Sequence, residues 1–95
     1  MSARQAPVAV FRLGRIVATP NALRQLSQED VLRALQRHQA GDWGDVCQDD
    51  RQANDRAVTH GTRLFSVYHS EKRLKFWVTT EADRSVTTVL LPEDY

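Results

Sequence analysis

The sequence predicts an α+β domain: an N-terminal strand, two to three helices, then a three-stranded antiparallel meander forming one sheet. Three observations support this. Residues 74–91 read as two strands joined by a charged link. Thr19-Pro20 and Ser27 are helix starts followed by apolar residues at helical spacing, and Gly41 and Gly61 are helix stops. The length of 95 residues suits a single domain, 1–95, with one modest core.

In chain order, Met1 to Pro7 is small and polar and is expected to be a flexible start. Val8–Phe11 and Arg15–Ala18 are short apolar runs interrupted at Leu13-Gly14. At least one is a strand, and Arg15–Ala18 is the better candidate. A short helix follows over Pro20–Leu26, with Ala22, Leu23 and Leu26 on one face. Ser27 caps a second helix that runs to about Gln39. Its acids Glu29 and Asp30 suit the positive helix end, and Val31, Leu32 and Leu35 form its apolar stripe. Cys47 to His60 reads as a polar helix with a thin stripe of Ala53, Ala57 and Val58.

Arg63–His69 is a strand with apolar residues on both faces, which suggests a central position covered on both sides. Residues 74–80 alternate, with Leu74, Phe76 and Val78 opposed to Lys75, Trp77 and Thr79. Residues 86–91 are β-branched or aliphatic and end at Pro92, which cannot donate to a ladder. The polar residues 81–85 between these strands form a hairpin turn shaped by Asp83 and Ser85.

Thirteen basic and 12 acidic residues leave a net charge of +1, so no global field draws the chain to nucleic acid or membrane. Residues 42–56 are locally acidic, with five aspartates against two arginines, and would repel phosphate. A single cysteine, Cys47, excludes an intrachain disulfide and points to a reducing, cytoplasmic setting. No window approaches the roughly 18 apolar residues of a membrane span, and the N-terminus does not read as a secretory signal.

The three histidines are scattered and Cys47 has no CxxC partner, so no metal site is expected. The glycines Gly14, Gly41, Gly44 and Gly61 form no phosphate-cradling loop, and no cofactor is expected. A methyltransferase or nucleotide-dependent enzyme therefore has neither the motifs nor the length. Metal-independent acid–base chemistry remains open. Cleavage of RNA by its own 2′-hydroxyl needs a base, an acid and a cation for the phosphate. The candidates are His38 or Glu81 for proton transfer, Arg63 and Arg84 for phosphate, and Thr80 or Thr88 as hydrogen-bond partners if they avoid the core face.

Binding candidates are Trp43, Asp83, Arg84 and Tyr95. Trp43 lies between Gly41-Asp42 and Gly44-Asp45, either as a plug closing the core or as a stacking platform, with the plug favoured. Arg84 is expected to be dispensable for the fold, Cys47 to have no functional role, and His38 to complement the dipole at its helix end if it is not catalytic.

Several blocks carry a resemblance. They are Ile16 to Leu23; His38 with Gly41-Asp42-Trp43-Gly44; Gly61-Thr62-Arg63-Leu64 with Ser66-Val67-Tyr68; and Thr80 to Ser85 with Thr87 to Tyr95. Together these resemble a family of small bacterial proteins usually labelled "plasmid-related protein" or, misleadingly, "type I restriction endonuclease subunit M". The resemblance covers nearly the whole chain and implies a role in mobile elements such as plasmids, with no established activity to transfer. The order of helices then antiparallel sheet is also similar to ribonuclease toxins of the barnase and RelE type, at the level of architecture alone.

The reading ranked first is a non-catalytic accessory protein that binds another protein. The alternative is a metal-independent endoribonuclease or toxin-like protein. A DNA-binding regulator ranks last, because no helix gathers Arg, Lys, Asn or Gln on one face. A free sheet edge would also permit a homodimer.

Overall fold

The helix starts and stops of the sequence delimit real elements in the computed structural model, which describes residues 9–95. β1 (Arg15–Ala18) leads into α1 (Pro20–Gln25), α2 (Gln28–Gln39) and α3 (Gln48–His60). β2 (Leu64–His69), β3 (Lys75–Thr80) and β4 (Val86–Leu90) follow, then a 3₁₀ turn (Pro92–Asp94). The fold is α+β. The expectation of a flexible start over residues 1–7 lies outside the described residues, and Ala9–Phe11 form no strand.

The sheet order is β1-β4-β3-β2. β2, β3 and β4 pair antiparallel in sequence order, as the meander requires. β1 adds to β4 in parallel, with Arg15 opposite Val86 and Ala18 opposite Val89, so the sheet is mixed. A parallel pair needs a long crossover, and the helices supply it.

Local side chains set the helix ends. The Thr19 hydroxyl accepts from the Ala22 N–H at 3.1 Å, and the Ser27 hydroxyl accepts from the Asp30 N–H at 3.0 Å. Thr19 also donates to Asp94 at 2.6 Å, which ties the C-terminal turn to the start of α1. Cys47 caps α3 by position but makes no side-chain capping bond.

α1 and α2 cover one face of the sheet. Ala22, Leu26, Ala34 and Leu35 pack there against Tyr68, Phe76, Val78, Val89 and Leu91. The apolar stripes differ from the expected ones. Leu23 is 67% exposed and Leu32 53%, while Ala34 and His38 of α2 turn inward. On α3, Ala53 is exposed and Asn54 is buried.

β2 is an edge strand, not a central one. Its free side is finished by other parts of the chain. The Asn54 amide donates to the Phe65 carbonyl at 2.6 Å and accepts from the Phe65 N–H at 3.1 Å, imitating a neighbouring strand. Two residues on, the Val67 N–H donates to the Trp43 carbonyl at 3.1 Å, and the Val67 carbonyl accepts from the Asp45 N–H at 2.8 Å. The chain approaches this closely only because residue 44 is glycine. Its φ is +74°, and a Cβ there would collide with the Val67 carbonyl. Trp43, Val46 and Ala57 then cover Leu64 and Val67 in a second core cluster, giving β2 its two apolar faces.

Two stability outcomes follow from these contacts. Asn54→Ala removes both edge bonds and should cost about 2 kcal/mol in urea unfolding. Cys47→Ser supplies the missing cap acceptor and should raise stability by about 1 kcal/mol, measured the same way.

Candidate functional site

The residues proposed for acid–base chemistry fall near one end of the sheet, where β2 begins and β3 ends, but they are not free to act. His38 has no solvent exposure. Its ring lies on the helix-covered face, with Nδ1 2.6 Å from the Ser66 hydroxyl and Nε2 2.9 Å from the Thr80 hydroxyl. Thr80 is 2.7 Å from the Thr87 hydroxyl, which donates to the Leu13 carbonyl at 2.6 Å.

That last carbonyl only accepts, and this orients the whole chain of bonds. Thr87 spends its proton on Leu13, so Thr80 donates to Thr87. Thr80 then accepts from Nε2–H, and Ser66 donates to Nδ1. His38 is therefore the neutral Nε2–H tautomer. Burial, and to a lesser degree the nearby positive charge of Arg84, together lower its pKa from 6.5 to about 3. The ring also sits edge-on to Phe11 and Trp43, with centroids 5.1 Å and 5.7 Å away. His38 is a structural centre sealed from substrate, not a surface base. Thr80 and Thr87 share its buried face, while Thr88 lies on the opposite one.

Arg84 is the second correction. It occupies the hairpin turn with φ +62°, a left-handed conformation that costs a non-glycine residue about 1 kcal/mol or more. Its guanidinium reaches from there to backbone carbonyls. Nη1 donates to Thr62 at 2.6 Å and Glu81 at 3.2 Å, and Nη2 donates to Ala57 at 2.8 Å, in the last turn of α3. It also lies 5.5 Å from the Phe11 ring centroid. These bonds fasten the hairpin to the end of α3 and occupy the donors a phosphate would need. Arg84 therefore acts on the fold, contrary to the expectation that it is dispensable. Asp83 accepts from the Ser85 N–H at 3.0 Å and shapes the turn; the Ser85 hydroxyl and N–H together lower its pKa.

Trp43 is 1% exposed and donates from Nε1 to Asp55 at 2.9 Å, so it is the plug and offers no stacking surface. Its loop is held by Arg37, whose Nε and Nη2 meet the Asp42 carboxylate at 2.8 Å and 3.2 Å. The same guanidinium lies 4.7 Å from the Tyr68 ring centroid, and it lowers the Asp42 pKa.

Tyr95, Arg63 and Glu81 remain accessible. The strand register places Phe65, Trp77, Lys75, Val86, Thr88, Arg15 and Val17 on the sheet face turned away from α1 and α2, together with His69 and the buried Val67, Thr79 and Leu90. Val17, Val86, Thr88, Phe65 and Trp77 are half-buried there, and Arg15 and Lys75 are exposed. Phe65 and Trp77 meet edge to face at 5.2 Å, and Trp77 meets Tyr95 at 5.7 Å. Arg63 lies 5.8 Å from the Tyr95 ring centroid, with Nη1 3.3 Å from the phenol oxygen. Tyr95 is 77% exposed. No strand position on this face is a carboxylate. The face is thus an aromatic row near Arg15, Lys75 and Arg63, with the exposed Asp45 carboxylate reaching it at His69 Nδ1, 2.8 Å away.

The sequence reading singled out Arg63 and Tyr95 but not Phe65 and Trp77. Their signal was present: both fall on the half-exposed side of alternating strands, where polar residues are the usual occupants. Among the described residues, no group of three or more His, Cys, Asp or Glu could hold a metal ion, and no helix is long and apolar enough to cross a membrane. Comparison with known proteins finds no matching family model, no matching curated protein and no matching solved structure.

The buried imidazole gives the fold a pH dependence. Between pH 6.5 and about 3 the unfolded chain takes up a proton at His38 that the folded chain refuses. Stability from this group is therefore intact above pH 6.5 and falls on acidification, by at most about 1.4 kcal/mol per pH unit. Urea midpoints measured from pH 7.5 to 4 should show this slope, and His38→Gln should flatten it.

At the hairpin, Arg84→Ala loses the carbonyl bonds and keeps the backbone strain, while Arg84→Gly loses the bonds alone. Both should be less stable than wild type, Ala by about 2–3 kcal/mol and Gly by about 1 kcal/mol less than Ala. Equal stabilities for wild type and Ala would remove Arg84 from the structural role.

Proposed function

We propose that this chain is a non-catalytic binding module that presents the aromatic sheet face of Phe65, Trp77 and Tyr95 to a protein partner. The observation that carries this reading is the exposed Tyr95 ring between Trp77 and Arg63, on a face whose strands hold cations and no carboxylate. Aromatic residues and arginine are the side chains that contribute most at protein interfaces. The cations favour a partner surface that combines apolar side chains with acidic ones. The resemblance to plasmid-related proteins supports placing the module among accessory proteins of a bacterial mobile element, acting in the cytoplasm.

The ribonuclease alternative has lost support. It would need a proton-transfer pair and a free phosphate clamp, and His38 and Arg84 are engaged in the interior and the backbone. The open face remains the better candidate.

The test uses the full chain immobilised in host lysate, followed by titration of the captured protein. Tyr95→Ala and Arg63→Glu should each weaken binding at least tenfold with the circular-dichroism spectrum unchanged. Lys72→Ala, in the β2–β3 turn, should bind as wild type. Equal binding by all variants would overturn the reading. A parallel incubation with labelled RNA in EDTA should give no products. Discrete products lost in Arg63→Ala and Glu81→Gln would put the ribonuclease first.

A further inference from the structure

The two edges of the sheet differ. The β2 edge is finished by Asn54 and by residues 43–45. The β1 edge is bare among the described residues. The Arg15 N–H donates to the Ser85 carbonyl at 2.9 Å and the Thr19 N–H to the Val89 carbonyl at 3.0 Å, so these groups point toward β4. Backbone groups alternate along a strand, and those of Ile16 and Ala18 therefore point outward. Among the described residues, no backbone hydrogen bond outside the β1–β4 ladder reaches Ile16 or Ala18. Ile16 is 50% exposed, in a strand with no proline and no bulge to discourage pairing and with Arg15, at its first position, as its one charged residue.

We infer that β1 is the interface of a homodimer, in which two copies pair antiparallel about a two-fold axis through Val17 and join their sheets into one. The occupant follows from the register. An antiparallel partner forms hydrogen-bonded pairs only between outward-pointing residues. With Val17 opposite Val17 of a second copy, Ile16 falls opposite the second copy's Ala18. These two exchange both of their outward bonds, and symmetry repeats the exchange. Arg15 falls opposite Thr19, so no like charges meet. The strand is thus its own complement, in register and in charge.

A four-residue strand alone is a small interface. The axis runs normal to the sheet, so both copies place α1 on the same side of the junction. α1 carries Leu23, at 67% the most exposed large aliphatic side chain among the described residues, beside a cavity of about 340 Å³ lined by Ala18, Ala22, Leu26 and Val31. That apolar surface borders the junction and adds to the buried area. The inference goes beyond the proposed function and uses a different edge of the molecule.

The experiment is sedimentation of the full chain from 1 to 200 µM, with cysteine cross-linking in the Cys47→Ser background. In a non-hydrogen-bonded antiparallel pair the facing Cα atoms are about 4.5 Å apart, within disulfide range. Val17→Cys should therefore oxidise to a covalent dimer, and Arg15→Cys should not. Wild type should sediment as a dimer at the upper concentrations. Val17→Glu sets like charges opposite each other, and Ile16→Pro deletes an outward N–H that β4 does not use. Both should sediment as folded monomers. A wild type that stays monomeric throughout would overturn the inference. So would a dimer that survives Val17→Glu and leaves Val17→Cys uncross-linked, since another surface, or another strand partner, would then hold that place.

Discussion

A neutral imidazole in the interior organises this domain. His38 comes from α2, Ser66 from β2, Thr80 from β3 and Thr87 from β4, and the last bond ends on the Leu13 carbonyl just before β1. Every polar atom in the line has one donor or acceptor assignment that satisfies its neighbours. Among the described residues, no buried side-chain nitrogen or oxygen is left without a partner. A polar network in a small core is favourable only when complete, because each orphaned group costs its full desolvation. Completeness here fixes the depth of α2, the register of β3 on β4 and the path of the chain entering β1.

The same economy of polar side chains governs the periphery. The helices are short and the meander leaves an edge, so many backbone groups would otherwise lack partners. Asn54 completes Phe65, Arg84 completes the end of α3, and Asp94 takes the Leu91 N–H while holding Thr19 and Asn21. Residues that resemble functional groups in the sequence are thereby committed to the backbone. The chemistry left at the surface is of another kind: aromatic rings, with cations around them, on a sheet face that α1 and α2 do not cover.

Much of the fold was legible because its signals are local. Thr19-Pro20 and Ser27 mark helix starts by chemistry within one turn, Gly61 marks a stop by its left-handed conformation, and residues 74–80 alternate within a single strand. What was missed depends on partners distant in the chain. β2 looked central because both its faces are apolar, and only the loop at Gly44 and the Asn54 amide reveal an edge. His38 looked like a catalytic candidate because nothing nearby in sequence announces Ser66 or Thr80. Arg84 looked like a surface charge because its carbonyl partner on α3, Ala57, lies 27 residues away. Phe65 and Trp77 read as ordinary strand residues, since how far each side of a sheet is covered is decided by where the helices and loops pack.

Sealing one edge of the sheet has a consequence for assembly. A sheet with two open edges can recruit copies at both and grow without limit, as fibrils do. In this chain Asn54 and the Gly44 loop turn one side into a dead end. Whatever adds at β1 by self-pairing uses up, in both participants, the edge that is bare among the described residues, so growth by that route stops at a closed, countable complex.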